Sequence, residues 1–91
     1  MAVLRLVNRG VGWDTYDAIN AGVDIEHRHP VGLIMHGAYE VDGTVQVAQV
    51  WESEEYARRY DLEILKPALE AVGAPLDAEV TVCELHYLVT P

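Results

Sequence analysis

The chain has 91 residues, of which 51% are hydrophobic, and its 15 acidic side chains outnumber 6 basic ones, which gives a formal net charge of −9. This length predicts one domain, residues 1–91, whose core is so small that burial against a second copy of the chain is expected. The acidic charge argues against nucleic acid and anionic membranes as partners. We expect a cytoplasmic protein, because the sequence has a single cysteine, no charged leader and no apolar run of about 20 residues.

The first predicted elements are a strand and a short helix. Residues 2–8 are largely apolar and rich in valine and leucine, which is typical of a strand. Asp14 is predicted to cap the following helix, because its carboxylate can accept hydrogen bonds from unpaired backbone N–H groups. The buried stripe of this helix is narrow and consists of Tyr16, Ile19 and Val23.

The segment 22–30 is polar and ends at a proline, so it is predicted to be a loop. It contains four residues that can bind metals: Asp24, Glu26, His27 and His29. Alternating charges on a loop are nevertheless typical of a solvated segment, and no metal site is predicted. The loop could instead cover the mouth of a pocket.

The segment 32–52 predicts a β-hairpin, because Asp-Gly at positions 42–43 supplies the positive φ angles of a two-residue turn. The resulting register pairs Tyr39 with Gln46, Ala38 with Val47, His36 with Gln49, Met35 with Val50 and Ile34 with Trp51. One face then carries Ile34, His36, Ala38, Val47, Gln49 and Trp51, and the other carries Leu33, Met35, Gly37, Tyr39, Ala48 and Val50. Both faces are largely apolar, so each is expected to be covered.

A second helix is predicted to follow, with Ser53 as its N-cap and Gly73 as its stop. Its apolar stripe contains Tyr56, Tyr60, Ile64 and Ala68, widened by Leu65, Leu69 and Val72. Pro67 lacks a backbone N–H, which predicts a kink or break over residues 63–66. Residues 79–89 alternate like a strand, with Cys83 interpreted as a buried packing residue.

The element order predicts an α+β fold of the ferredoxin-like βαββαβ type, with a four-stranded antiparallel sheet and both helices on one face. Four segments then resemble the dimeric α+β barrel superfamily, which includes the antibiotic-biosynthesis monooxygenase-like domains: residues 32–36, 50–55, 65–73 and 84–86. The resemblance implies a homodimer whose sheets form a barrel, with a pocket between sheet and helices in each subunit. Members include cofactor-free oxygenases, haem-degrading oxygenases, isomerases, cyclases and stress proteins, so the fold does not determine the reaction.

His36 is the first catalytic candidate, because it lies among apolar residues opposite Gln49. A pKa near about 6.5 suits proton removal from a phenol or an activated carbon, and the amide could stabilise an oxyanion. The alternative is a structural pair that satisfies a buried histidine. His86 is a second candidate beside Glu84, or else an edge or interface histidine. It is expected not to touch His36 within one subunit, since their strands lie at opposite sheet edges.

Six further residues are candidates for substrate binding or, alternatively, for ordinary core packing: Trp51, Tyr56, Tyr60, Trp13, Met35 and Tyr39. If His36 and Trp51 lie on the helix-covered face, the pocket holds one histidine, one amide and up to two phenols. If they lie on the other face, His36 points into the dimer barrel.

The residues and the resemblance together predict a cofactor-independent enzyme that oxygenates, cyclises or isomerises a small apolar or aromatic molecule. The alternative is a non-catalytic homodimer with a binding or stress-related role. A haem-binding oxygenase is a less favoured alternative, in which His36 would ligate iron and the propionates would need Arg58, Arg59 or Lys66.

Overall fold

The computed structural model describes residues 1–91 and contains one antiparallel sheet of four strands. The strands are β1 (Val3–Asn8), β2 (Leu33–Val41), β3 (Thr44–Trp51) and β4 (Glu79–Glu84), and their order in the sheet is β2-β3-β1-β4. The helices are α1 (Trp13–Val23), α2 (Glu54–Tyr60) and α3 (Lys66–Val72), with a π-helical segment (Asp61–Leu65) joining α2 to α3. This arrangement confirms the predicted ferredoxin-like fold. None of the helices has the length and apolar character needed to span a bilayer.

The two faces of the sheet differ in what covers them. On β1, Val3, Arg5 and Val7 are buried beneath the helices, whereas Leu4 and Leu6 point the other way and are only half-buried. The main core lies on the helix side and consists of Val3, Ile19, Val23, Leu33, Trp51, Ala57, Tyr60, Ala68 and Leu69. We call the uncovered side the open face; it carries Leu4, Leu6, Met35, Gly37, Tyr39, Ala48, Val50 and Cys83.

The hairpin has the predicted register from Tyr39 paired with Gln46 to Met35 paired with Val50. The prediction is wrong at the end of the hairpin farthest from the turn. There Leu33 rather than Ile34 pairs with Trp51, because the strand is irregular between residues 33 and 35. An extra residue in a strand reverses the side-chain alternation beyond it. Leu33 therefore lies in the core, on the same side as Trp51, instead of on the open face.

The first helix begins one residue earlier than its predicted cap. Gly12 occupies the N-cap position, and Asp14 lies in the first turn, where its charge still favours the positive end of the helix dipole. Ser53 is at the N-cap of α2, as predicted, although its side chain makes no capping hydrogen bond.

The predicted interruption before Pro67 takes the form of the π-helical segment, after which α3 starts with Pro67 in its first turn. Hydrogen bonds of the i→i+5 type add one residue to a turn. As a result Leu65 continues the buried stripe in place of Ile64, which is 38% exposed. Val72 is also exposed, and Gly73 ends the helix as predicted with φ of 68°.

The last strand is shorter than predicted and ends at Glu84 instead of Val89. Glu84 pairs with Val3, which is the first residue of β1. Residues after Glu84 therefore have no β1 residue to pair with, and only one further backbone bond forms, from the Leu85 N–H to the Ala2 carbonyl. The prediction that Cys83 is buried is also wrong. It is exposed in the single chain because β4 is an edge strand and Cys83 lies on the open face.

Candidate functional site

A cavity of about 380 Å³ lies between the sheet and the helices. Its walls are mostly hydrophobic and come from the covered face of the sheet, from α1, from the end of α2 with the π-helical segment, from α3, and from the loop before β4. His36 and Gln49 both line it. The histidine and amide therefore lie on the helix-covered face, which is the first of the two arrangements considered from sequence.

A chain of hydrogen bonds leads from the core to the cavity wall. The indole Nε1 of Trp51 donates to Oε1 of Gln49 at 3.0 Å, and the amide Nε2 of Gln49 lies 3.3 Å from Nδ1 of His36. Nε2 of His36 lies 2.9 Å from the hydroxyl of Tyr16, whose ring is nearly parallel to the imidazole. Trp51 is fully buried and Gln49 is 5% exposed, so the inner half of this chain is shielded from water.

The chemistry of these groups determines the direction of each bond. An indole N–H can only donate, so the Gln49 oxygen must accept from Trp51 and the Gln49 amide N–H must donate to Nδ1 of His36. A neutral His36 then carries its proton on Nε2 and donates it to the Tyr16 oxygen. The hydroxyl proton of Tyr16 remains available to an acceptor in the cavity, which Tyr16 also lines.

The protonation states agree with this assignment. Burial lowers the pKa of His36 below that of a free histidine. Burial, with a smaller contribution from Asp17, raises the pKa of Tyr16. At neutral pH the pair is therefore an uncharged imidazole and an uncharged phenol.

The second polar element of the cavity is an ion pair. Arg5 is buried on β1 and meets Asp61 through two bonds, Nη2 to Oδ2 at 2.7 Å and Nη1 to Oδ1 at 3.4 Å. Asp61 is the first residue of the π-helical segment. A buried guanidinium needs such a partner, because an isolated charge in the protein interior is costly.

Tyr60 also lines the cavity and is 5% exposed, with its ring 5.2 Å from that of Trp51. Its hydroxyl makes no hydrogen bond to protein, in contrast to that of Tyr16. Burial, reinforced by Asp61, strongly raises the pKa of Tyr60, so it is a neutral phenol.

Three predicted site residues lie on the helix side of the sheet but do not line the cavity. Trp51 is behind Gln49 in the core. Trp13 is 39% exposed, donates from Nε1 to Glu40 at 3.0 Å and packs edge-on against Tyr16. Tyr56 packs against Gly32, whose positive φ of 86° and missing side chain allow the close approach.

The remaining predicted site residues lie elsewhere. Met35 and Tyr39 are on the open face and are 46% and 41% exposed. His86 follows the end of β4, is exposed and makes no hydrogen bond. Strands β2 and β4 form opposite edges of the sheet, so His36 and His86 are separated within the chain, as expected.

The loop with metal-capable residues does not bring them to one point. His27 bonds to Asp24 at 2.8 Å, whereas His29 donates to the carbonyl of Leu33 at 2.7 Å. No group of three or more His, Cys, Asp or Glu residues is placed to hold a metal ion.

Sequence reasoning missed the charged part of the site. Arg5 and Arg9 occupy the same odd-numbered positions as the buried residues Val3 and Val7. Because side chains alternate between the two faces of a strand, this numbering indicates that both arginines face the helices. Tyr16 was assigned only to a buried stripe. Its contact with His36 depends on how α1 packs on β2, which the sequence pattern does not define.

No protein-family profile and no curated protein matches the sequence. Solved structures do resemble the chain. Rv0793 from Mycobacterium tuberculosis superposes with a TM-score of 0.69 at 16% identity, covering 99% of this chain and 100% of that one. SnoaB, a cofactor-independent oxygenase from Streptomyces nogalater, has a TM-score of 0.64 at 13% identity, covering 99% and 96%. A candidate antibiotic biosynthesis monooxygenase from Caulobacter crescentus has a TM-score of 0.68 at 10% identity, covering 94% and 91%. The chain therefore has the ferredoxin-like fold of the antibiotic-biosynthesis monooxygenase-like proteins, as the sequence resemblance implied.

Proposed function

We propose that the protein is a cofactor-independent enzyme that oxygenates, cyclises or isomerises a small apolar or aromatic molecule held in the cavity. The observation that carries this proposal is the series of hydrogen bonds from Trp51 through Gln49 and His36 to Tyr16, which ends at a phenol hydroxyl on the cavity wall. The similarity to a cofactor-independent oxygenase in fold supports the same class of reaction.

The three reactions share an early step, the transfer of a proton to water in the cavity from an activated C–H group conjugated with a carbonyl or phenol. His36 is not free to accept this proton, because its Nδ1 accepts from Gln49 and its Nε2 carries the proton bound by Tyr16. The enolate left behind carries its charge mainly on oxygen, and a positioned O–H donor in a poorly hydrated cavity stabilises that charge. We assign this donor role to Tyr16. His36 strengthens the donor, because its Nε2–H bonds to the same oxygen and takes up part of any negative charge that develops there.

Gln49 acts as a positioning residue in this proposal, not as the oxyanion donor considered from sequence. Its amide oxygen already accepts from Trp51 and its amide nitrogen already donates to His36. The pair holds the imidazole in one tautomer and one orientation, as outer partners do for histidines in other sites.

The test uses dithranol, an anthrone whose CH2 group is activated through two aromatic rings by the ketone on the opposite side of the central ring. Proton exchange of that group with deuterated water is followed by NMR under nitrogen, and oxygen uptake with quinone formation is followed in air. Oxygenation converts the CH2 and O2 into C=O and water, so no external reductant is required. We expect exchange above the uncatalysed rate, reduced by about tenfold or more in Tyr16→Phe and in His36→Ala.

Tyr39→Phe is the matched control, because it removes a phenol from the open face and should leave the rate unchanged. Wild-type protein that gives no exchange above the uncatalysed rate with dithranol argues against the enzyme proposal. Full activity in folded His36→Ala protein would show that the reaction does not use His36.

A non-catalytic binding protein is the second candidate. It is favoured by one observation, namely that both ring nitrogens of His36 already have hydrogen-bond partners, as in a purely structural pair. This candidate predicts ligand binding in the cavity without accelerated proton exchange, together with loss of stability in His36→Ala.

Haem does not fit the residues of this site. Iron ligation by His36 would break its bond to Tyr16 or to Gln49. Of the proposed propionate partners, Arg58 and Arg59 pair with glutamates on the exposed surface of α2 and only Lys66 lines the cavity.

We also propose that two copies of the chain associate through their open faces. That face is largely apolar, and within one chain no helix covers it. Covering it with a second sheet removes apolar surface from water and enlarges a small core. Sedimentation velocity at several concentrations tests this proposal, with a monomer at micromolar concentration as the contrary result.

A further inference from the structure

The basic residues of this acidic protein are concentrated at the cavity. Only 6 of the 91 residues are Lys or Arg. Three of them line the cavity: Arg5, Arg9 and Lys66. The other three have partners outside it, since Arg28 donates to the carbonyls of Gly22 and Val23, Arg58 pairs with Glu54 and Arg59 pairs with Glu55. A positive interior in a chain of net charge −9 calls for an explanation.

Arg9 is the arginine without a partner. It makes no ion pair and no side-chain hydrogen bond, and its Nε atom is enclosed with no acceptor in reach. Burial lowers the pKa of Arg9, and the charge of nearby Asp61 only partly opposes this effect. An arginine stays protonated under such conditions, so a poorly hydrated cation with a free N–H remains at the cavity wall.

Two further donors share this cavity without protein partners. One is the hydroxyl of Tyr60. Burial raises the pKa of Tyr60, and the positive charge of Arg9 is close enough to oppose part of that rise. The ammonium group of Lys66 is the other. Three donors of different strength, one guanidinium, one phenol and one ammonium, are the kind of set that binds an oxyanion.

The carboxylates of the cavity do not cancel this charge. Asp61 is already bound by Arg5 through both of its oxygens. Asp77 is exposed at the rim and makes no ion pair with Arg9 or Lys66. With His36 neutral, the cavity therefore keeps an excess of one positive charge. This suits a monoanion, since a phosphate dianion would need more positive charge to replace its hydration.

We propose that the ligand is a small aromatic or alicyclic carboxylate whose carboxylate group binds Arg9, with Tyr60 and Lys66 beside it, while its apolar body contacts the valine-rich wall. This proposal rests on the proposed function for the location of the site and adds the chemical class of its substrate. It places the acidic group of the ligand at the Arg9 end and leaves the Tyr16 hydroxyl for the reacting oxygen.

The test compares two ligands of nearly the same shape, the anion 2-naphthoate and the neutral 2-naphthamide, by calorimetric titration of the full chain. We expect wild-type protein to bind the naphthoate at least about tenfold more tightly, the effect of a charge-assisted hydrogen bond. Arg9→Gln should remove most of this preference while naphthamide binding persists. Arg58→Gln, which removes an arginine of the surface of α2, is the matched control and should keep the preference.

A direct readout is the side-chain Nε–H resonance of Arg9 in a nitrogen-15 NMR spectrum, which should shift with naphthoate and not with naphthamide. Lys66→Gln should reduce the preference in part, and it provides a second variant if Arg9→Gln does not fold. Equal affinity for the two compounds, no binding of either, or a preference that is undiminished in Arg9→Gln would overturn the proposal. Because these measurements need no turnover, naphthoate preference without proton exchange would support the carboxylate site and count only against the enzyme proposal.

Discussion

The two faces of the sheet use the same strands for different purposes. On the covered face, every second residue contributes to a core that surrounds polar groups. These are the Arg5–Asp61 ion pair and the series of hydrogen bonds that ends at Tyr16. On the open face, the intervening residues are almost uncharged and form no such network. The buried ion pair and the extended hydrogen-bonded network thus lie on one side of the sheet, and the other side keeps mostly apolar surface suited to association, with a single side-chain bond between Asn8 and Thr44.

This difference has a practical consequence, because the alternation of a strand separates the two sets of residues cleanly. Substitutions on the open face should change association and leave the cavity intact. Substitutions on the covered face should change stability or ligand binding and leave association intact. The four predictions that follow test this separation, starting with the largest expected effect.

The largest effect is expected for Ala48→Glu. Ala48 lies at the centre of the open face, between Leu6 on β1 and Gly37 on β2. In a twofold dimer the substitution places two unpaired carboxylates in one apolar interface, and we expect dimerisation to weaken by at least about 100-fold. Sedimentation velocity measures the change, with Leu62→Glu on the exposed helix surface as the control.

Cys83 provides an independent check on the same face. Its thiol is exposed in the single chain and would be covered in the dimer. The rate of reaction with a thiol reagent should therefore rise several-fold in Ala48→Glu and stay constant in Leu62→Glu. An equal rate in all three proteins would place the interface elsewhere.

The next effect is a loss of stability in Asp61→Asn. The substitution leaves the buried Arg5 guanidinium without its counter-charge, and we expect the free energy of unfolding to fall by about 3 kcal/mol, measured by urea denaturation. Glu55→Gln is the matched control, because it breaks the exposed Arg59–Glu55 contact of 3.4 Å and should cost no more than about 0.5 kcal/mol. Similar losses in both variants would mean that the Arg5 ion pair is no more important than a surface pair.

A smaller loss is expected in Tyr16→Phe. The variant removes the acceptor of the His36 N–H while keeping the ring, and one hydrogen bond of this kind contributes about 1 kcal/mol to the free energy of unfolding. Tyr39→Phe on the open face should change the stability of the monomer by less than about 0.5 kcal/mol. If the two phenylalanine variants behave alike in urea denaturation, the Tyr16–His36 contact has no measurable strength.

The smallest effect is a change in pH dependence at His36. Burial lowers its pKa, so the unfolded chain takes up a proton at a higher pH than the folded chain. The stability contributed by neutral His36 is complete above the unfolded pKa of about 6.5 and is lost as the pH falls from that value through the lower folded pKa. His36→Gln should therefore flatten the decline in the urea midpoint between about pH 7 and pH 5.

His27 acts in the opposite direction and serves as the comparison. Its hydrogen bond to Asp24 raises its pKa, so its contribution to stability is present at low pH and is lost as the pH rises through the folded pKa. His27→Gln should therefore remove a small rise in the urea midpoint as the pH falls to about 6.5, and it should leave the decline below that pH unchanged. A decline that is also unchanged in His36→Gln would assign the pH dependence to carboxylates.

Much of the fold was predictable because its signals are local. The Asp-Gly turn determined the register of the hairpin as far as Met35, and Pro67 with Gly73 marked the break and the end of the helix. The irregularity at Ile34 was not predictable, since residues 33–35 are all apolar and carry no alternation that would reveal an extra residue. The early end of β4 depends on where its partner strand begins, which is a property of the sheet and not of residues 85–89.

The residues of the candidate site also fall into those that local sequence signals predict and those that depend on tertiary packing. The pairing of His36 with Gln49 followed from the hairpin turn, and the structure places both residues in one cavity. Tyr16 and Asp61 come from helices, and their positions depend on the packing of α1 and of the π-helical segment onto the sheet. Met35 and Tyr39 were selected for residue type alone, and strand parity places them on the open face.

The π-helical segment at Asp61–Leu65 determines which side chains of α3 face the sheet, given the orientation of α2. Each residue advances a helix by about 100°, so deleting one residue from this segment would restore an ordinary α-helix and rotate everything after it by that angle. Ala68 and Leu69 would then leave the core, and Lys66 would turn away from the cavity. A single extra residue in one helical turn therefore keeps the hydrophobic core and the charged cavity in register along the same helix.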